Sequence, residues 1–174
     1  LAMLGYAYQI YFDFSGYSDM AVGMGLWFGF RFPQNFDSPY KAQNISDFWK
    51  RWHITLSEWL RDYLYIPLGG SKLQPLRTQF NLLITMLLGG LWHGANWTFV
   101  IWGLYHGLLI TAYRFLKERN RTQWVPQWLA RSITFVAVLI GWVFFRAQSV
   151  DVAWTILGRM FTTTPTAIVS GAIT

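Results

Sequence analysis

The chain contains no cysteine, which excludes disulfides, a thiolate nucleophile and any cysteine-ligated metal. Charge is scarce too: Asp, Glu, Lys and Arg make up 13% of the 174 residues, about half the ~25% of an ordinary soluble domain. Carboxylates are the scarcest, eight against fourteen basic residues. No internal repeat, low-complexity tract or composition shift divides the sequence, so one domain accounts for all of it. A Gly-x-Ser-x-Gly elbow is also absent, and with it serine-nucleophile chemistry of the strand-to-helix type.

What is present is apolar and aromatic. Hydrophobic residues reach 53% and aromatic ones 20%, with eleven Trp and nine Tyr. Such rings settle at the headgroup level of a bilayer, their bodies in lipid and an N–H or O–H in water. The composition is that of an integral membrane protein. The net charge of +6 is carried in blocks, with seven Lys and Arg from Arg31 to Arg77 and five from Arg114 to Arg131. Basic loops of this kind mark the cytoplasmic side and meet anionic lipid headgroups. Because they alternate with membrane-length apolar runs and form no soluble basic face, a nucleic-acid partner is excluded.

The chain starts inside an apolar run with neither a methionine nor a charged n-region, and it ends at Thr174 without a closing element. It is expected to be a piece from the middle of a longer polytopic protein, with no signal peptide. Residues 1–30 form one apolar run, longer than the ~20 residues a crossing needs. Asp13 and Asp19 interrupt it, and carboxylates at such depth are expected to face protein and not lipid. Residues 31–44, with Pro33 and Pro39, read as a loop. From Ile45 to Tyr65 apolar residues at 45, 48, 49, 52, 56, 59, 60 and 63 form a helical stripe opposite Asp47, Lys50, Arg51, Glu58 and Arg61. This predicts one amphipathic helix in the membrane interface, capped by Asn44 and ended by Pro67 and Gly69-Gly70. Residues 80–92 and 97–113 are apolar arms between basic flanks, so the chain goes in and comes back, with its turn at 92–96. At ~13 to ~17 residues each, short of a full span, they favour a re-entrant or tilted pair. A further span from Ser132 to about Phe145 and a short helix over 152–161 complete the pattern. The fold class is therefore all-α integral membrane: a polytopic helical bundle with re-entrant or broken helices and an interfacial amphipathic helix.

Three histidines carry the candidate chemistry. His93 lies in Gly89-Gly90-Leu91-Trp92-His93-Gly94-Ala95-Asn96-Trp97, a glycine-flanked break between apolar runs. An ionisable group there is costly, and broken backbone at membrane depth survives only around protein or a wet cavity. A neutral imidazole, with an unperturbed pKa of ~6.5, suits removal of a hydroxyl proton. His53 falls at the polar edge of the amphipathic stripe beside Trp49 and Leu60, from which it can reach a cavity. His106, in Trp102-Gly103-Leu104-Tyr105-His106-Gly107 on a continuous helix, reads as a packing residue. The bland alternative for each is a histidine that braces the bundle. No pair has metal-ligand spacing, so no metal is expected. The Gly69-Gly70 and Gly89-Gly90 pairs read as turn formers or close helix contacts.

Four segments in unbroken order carry a resemblance. They are Tyr11-Phe12-Asp13-Phe14-Ser15-Gly16-Tyr17-Ser18-Asp19-Met20-Ala21; Phe48-Trp49-Lys50-Arg51-Trp52-His53 through Asp62-Tyr63; Ile66-Pro67-Leu68-Gly69-Gly70; and Leu91-Trp92-His93-Gly94-Ala95. They closely resemble the membrane-bound O-acyltransferase family, above all its bacterial alginate O-acetyltransferase branch. The resemblance implies a catalytic histidine at His93, a second family histidine or asparagine at His53, and a tunnel fed by the acyl donor from the cytoplasm and by the hydroxyl acceptor from the opposite face. It further implies residues 1–174 as a partial membrane domain, lacking N-terminal helices and the C-terminal end of the family, in a multi-pass bacterial inner-membrane protein. No permanently bound cofactor follows. The co-substrate is an acyl thioester, acetyl-CoA or an acyl-carrier protein, and the partners are membrane lipids and a polysaccharide acceptor or periplasmic acyl-transfer proteins. His93 is the expected general base; His53 orients the acyl group or a partner side chain, or donates to the oxyanion. On physics alone a transporter or export subunit with a proton pathway through His93 fits equally well; a catalytically silent scaffold for a polysaccharide synthase is disfavoured because both family histidines are present.

Overall fold

A computed structural model describes residues 1–122 and 124–162. The uninformative last dozen residues lie outside the described ones. Every regular element among those described is helical. The first, α1 (Ala2–Trp27), has 26 residues, about 39 Å at 1.5 Å per residue. It closes with Gly29 at φ 78°, where Gly29 N–H donates to Leu26 O and Phe30 N–H to Gly25 O. This left-handed cap needs a residue without Cβ and turns the chain back along its own helix.

The returning loop is pinned to α1 by side chains. Tyr40 Oη donates to Ala7 O at 2.6 Å, and Asn35 Nδ2 to Ser18 Oγ at 3.2 Å. At α2 (Ile45–Trp49), Asn44 Oδ1 accepts from Asp47 N at 2.8 Å while Asp47 Oδ2 accepts from Gln43 N. The N-cap expected from sequence is thus present, with the reciprocal logic of a capping box.

The amphipathic stripe does not form the single helix expected over 45–65. It breaks at residues 50–53, resumes as α3 (Ile54–Leu60) and ends in a π-turn over Arg61–Tyr65. The loop captures the backbone of the break: Asp37 N donates to Arg51 O at 2.9 Å, and Ile54 N to Asn35 O at 3.0 Å. Arg51 reinforces it by pairing with Asp47 at 2.8 Å and Asp37 at 3.2 Å. Long-range partners outbid helix continuation, and His53 is left with φ 45°. Gly69 (φ 107°) and Gly70 (φ 53°) then form the turn that their pairing announced.

α4 (Pro75–His93) and α5 (Trp97–Glu118) are an antiparallel pair of 19 and 22 residues. Both are longer than the apolar arms read from sequence, because helix continues through Arg77 and through Arg114 to Glu118. Their length no longer argues for a re-entrant arrangement. The turn between them sits where expected, and Asn96 caps α5 by accepting from Thr98 N at 3.1 Å. Gly90 and Gly103 bring the two backbones into direct contact: a Cβ on Gly90 would lie 3.2 Å from Gly103 Cα and would overlap Phe99 O. Close packing is thus what Gly90 provides.

α6 (Gln127–Arg146) follows, then α7 (Val150–Phe161), whose Ser149 cap accepts from Val152 N at 3.3 Å. α5 and α6 are long and apolar enough to cross a membrane. α2 and α3, with 5 and 7 residues, reach only about 8 and 10 Å and do not cross. The core lies where α2, α5 and α6 meet, around fully buried Phe48, His106, Trp142 and Val143.

Asp13 and Asp19 are exposed, with no hydrogen bond or ion pair among the described residues. Ser18 and Phe14 take the inward positions of that stretch instead. α1 is apolar around its whole circumference, so the sequence gives no sign of which side faces in.

Candidate functional site

His93 ends α4 at the break before Gly94. Its half-buried imidazole stands edge-on to Trp102 (ring centroids 5.2 Å apart) and Phe145 (5.0 Å), which leaves a polar ring in an aromatic sleeve. Among the described residues no side-chain hydrogen bond engages either of its nitrogens. The second expected histidine, His53, reaches the same place from the other side. Of the two neighbours that the helical projection gave it, Trp49 lines the same pocket and Leu60 does not, because the helix breaks before His53. Phe14 of α1 packs edge-on against its ring at 4.7 Å, and Asn35 bonds it.

Asn35 settles the form of His53. Its Oδ1 accepts from Thr55 N at 3.3 Å and from Thr55 Oγ1 at 3.0 Å, and its Nδ2 donates to Ser18. A backbone N–H can only donate, so the atom facing it is the amide oxygen. His53 Nδ1, 3.2 Å from the same oxygen, must therefore carry the proton. The neutral ring then presents Nε2 as a bare lone pair. Burial, and secondarily the nearby His93, push the His53 imidazole down to about 4, so this acceptor form persists at neutral pH. In this form Nε2 accepts and does not donate.

The two histidines meet in one small pocket of about 40 Å³, walled by Phe14, Trp49, Trp52, Trp102, Trp142 and Phe145. A water needs ~10–15 Å³ measured this way, so the pocket holds roughly three water-sized groups. Beside it lies a larger cavity of about 260 Å³ that contains Lys50, Arg61, Arg114, Tyr65 and Ser57. His93, Trp49, Leu56 and Trp102 belong to the walls of both. His93 is thus a titratable group at the junction of a small aromatic chamber and a cationic one.

His106 is absent from both walls. It is fully buried between α2, α5 and α6, and its Nδ1 accepts from Trp49 Nε1 at 3.3 Å. The packing role read from its sequence context agrees with this position. Asn35 was missed by sequence reasoning. It sits in a loop 18 residues before His53, and no local pattern marks it.

The description of the membrane-bound O-acyltransferase family matches residues 1–152. The Azotobacter vinelandii "Probable alginate O-acetylase AlgI" is 54% identical over 163 residues, covering 92% of this chain and 32% of that protein. The Helicobacter pylori "Peptidoglycan O-acetyltransferase" is 51% identical over 162 residues, with 92% and 31% covered. The Bacillus subtilis "Teichoic acid D-alanyltransferase" is 37% identical over 161 residues, with 85% and 41% covered. The chain spans about a third of the length of the first two of these relatives.

Proposed function

Because the chain belongs to the membrane-bound O-acyltransferase family, we propose that it forms the histidine-bearing centre of a membrane O-acyltransferase. The reaction is transfer of a short acyl group, acetyl by preference, from a cytoplasmic thioester to a hydroxyl of an exported polysaccharide such as alginate. The observation that carries this reading is the meeting of His53 and His93 in one small chamber that His93 shares with a cationic cavity.

The larger cavity takes the donor arm. Lys50, Arg61 and Arg114 in its wall suit the phosphates of acetyl-CoA or of a carrier-bound pantetheine, and its apolar remainder suits the arm itself. The thioester carbonyl then lies at His93. His93 removes the acceptor proton as the sugar oxygen bonds to the carbonyl carbon. The tetrahedral adduct expels sulfur, and the proton on His93 passes to the departing thiolate. Such proton transfer contributes ~10²–10⁴-fold in rate. His53, with Nδ1–H committed to Asn35, turns the bare Nε2 toward the chamber it shares with His93, where it can orient the acyl group or a side chain beside the reacting centre.

In this reading α4 and α5 form a hairpin with basic ends in the cytoplasm and the His93 turn within the bilayer, and α2 and α3 dip in from the cytoplasmic side to reach that turn. The chain is then part of a multi-pass bacterial inner-membrane domain, with other segments completing the tunnel and delivering the acceptor directly or through a periplasmic acyl-transfer partner. The decisive measurement is thiol release from acetyl-CoA and from an acetylated carrier protein by membranes bearing the intact protein or its His93→Ala variant. Transfer predicts release that the variant lacks. A proton-coupled export subunit would release no thiol with either donor, and that result overturns the reading.

A further inference from the structure

Trp49 walls both chambers, and within α2 only the edge of Phe48, 5.7 Å away, meets its indole. Two contacts from α5 hold its far side. Trp102 meets the ring edge-on at 5.6 Å, and His106 Nδ1 accepts the indole N–H at 3.3 Å. Among the described residues this is the one side-chain hydrogen bond between α2 and α5. An indole N–H only donates, so His106 Nδ1 is unprotonated and its proton resides on Nε2.

That Nε2–H is fully buried and, like the indole N–H groups of Trp102 and Trp142 beside it, has no hydrogen-bond partner among the described residues. A buried polar group left so costs stability and calls for a reason. The ring cannot escape the arrangement. Phe48 stacks on it at 6.3 Å, Trp102 and Tyr105 flank it, and Gly141 of α6 comes so close that a Cβ there would stand 2.5 Å from Nε2. An apolar side chain would fill this site without the orphaned donor. What it would not do is hold the Trp49 N–H.

We propose that His106 is a positioning residue that sets, through the Trp49 indole, the size of acyl group the histidine chamber accepts. The inference rests on the acyl-transfer reading above. The chamber's room for roughly three water-sized groups matches the three heavy atoms of an acetyl group. A butyryl group adds two methylenes, and these meet the indole edge as long as His106 holds it. Released, the indole can turn toward the larger cavity and merge the two spaces. One extra methylene in a tight pocket is commonly discriminated ~10–200-fold, so a fixed wall at this point is enough for acyl selectivity.

The test compares turnover of acetyl-CoA and butyryl-CoA, and of the two groups on pantetheine, by the intact protein in membranes, per folded molecule. His106→Leu removes the acceptor. His106→Asn, of similar size, retains an oxygen near the place of Nδ1, and Trp49→Phe removes the donor while leaving His106 in place. His106→Leu and Trp49→Phe are expected to lower the acetyl-over-butyryl preference in kcat/KM by ~3- to 10-fold, the worth of one net hydrogen bond. His106→Asn should recover most of it, and the Leu/Phe double variant should lose no more than either single one. An unchanged preference in both single variants overturns the proposal, as does an equal loss in the Leu and Asn variants, which would mean that packing alone matters. If the unsubstituted protein releases no thiol from any of these thioesters, the acyl-transfer reading itself has failed, a result distinct from an active enzyme whose selectivity ignores position 106.

Discussion

Gly89 and Gly90 are adjacent on α4, yet a methyl group on each should act in opposite ways. On Gly90 the added Cβ would overlap the Phe99 carbonyl and sit 3.2 Å from Gly103 Cα and N, all backbone atoms of α5. None of these can rotate aside. Restoring ordinary C···O separations of ~3.3–3.6 Å requires α4 and α5 to part by on the order of 1 Å. Overpacking of this kind costs roughly 1–3 kcal/mol. It also displaces His93, one turn further along the same helix, and a misplacement of ~1 Å at a reacting group can cost ~10²-fold. On Gly89 the Cβ meets only Leu60 Cδ1, at 3.1 Å, the tip of a flexible side chain, and otherwise projects into the larger cavity. Gly90→Ala should therefore lower the unfolding midpoint in mild detergent and cut kcat per folded molecule by one to two orders of magnitude. Gly89→Ala should leave the midpoint close to wild type and raise KM for the thioester. Thermal unfolding followed by Trp fluorescence, with thiol-release kinetics on the folded fraction, separates the two. A Gly90→Ala protein with unchanged midpoint and more than half the wild-type kcat would refute the argument from backbone contact.

Replacing His93 by Gln preserves hydrogen bonding but not proton uptake, so acyl transfer should fall at least a hundredfold, within the range of general-base catalysis; more than a tenth of wild-type activity removes His93 as base. Asn35→Asp places a carboxylate on the His53 Nδ1–H and should raise the imidazole from about 4. His53 is protonated, and lost as an acceptor, below its pKa, so the acidic limb of the pH–activity curve should move to higher pH, while Asn35→Leu lowers activity without that shift. An Asn35→Asp profile superimposable on wild type would disconnect Asn35 from the site. With no native cysteine, single cysteines at Lys50 and Glu58, both exposed, should react with impermeant maleimide from the cytoplasmic side only, and labelling from outside would reverse the topology.

The parts of this fold legible in the sequence were those written in local signals. The Asn44 cap, the Gly69-Gly70 turn and the α4–α5 turn at His93 depend on residues within a few positions of one another. The break at residues 50–53 was hidden because the apolar stripe runs through it without a gap. What interrupts the helix is the hydrogen bonding of Asn35 and Asp37, which arrive from another part of the chain. The pairing of His53 and His93 was expected from resemblance, whereas the tautomer of His53 required Asn35, whose three partners Ser18, His53 and Thr55 lie 17 to 20 residues away. The inward face of α1 was illegible for a different reason. With apolar residues all round, two carboxylates were the only markers, and neither touches another element among the described residues.

The left-handed backbone of His53 has a bearing on how substitutions there should be interpreted. Few L-residues adopt φ near +45°, with Asn, Asp and His enriched and β-branched residues strongly disfavoured. In a saturation library, Val, Ile and Thr at this position should be purged by conformation before any chemistry is tested, while Asn pays almost no conformational penalty. Tolerance at position 53 would then rank replacements by Ramachandran preference as much as by basicity. A fitness score read there without a matched measure of folded protein would mistake a steric filter for a catalytic requirement.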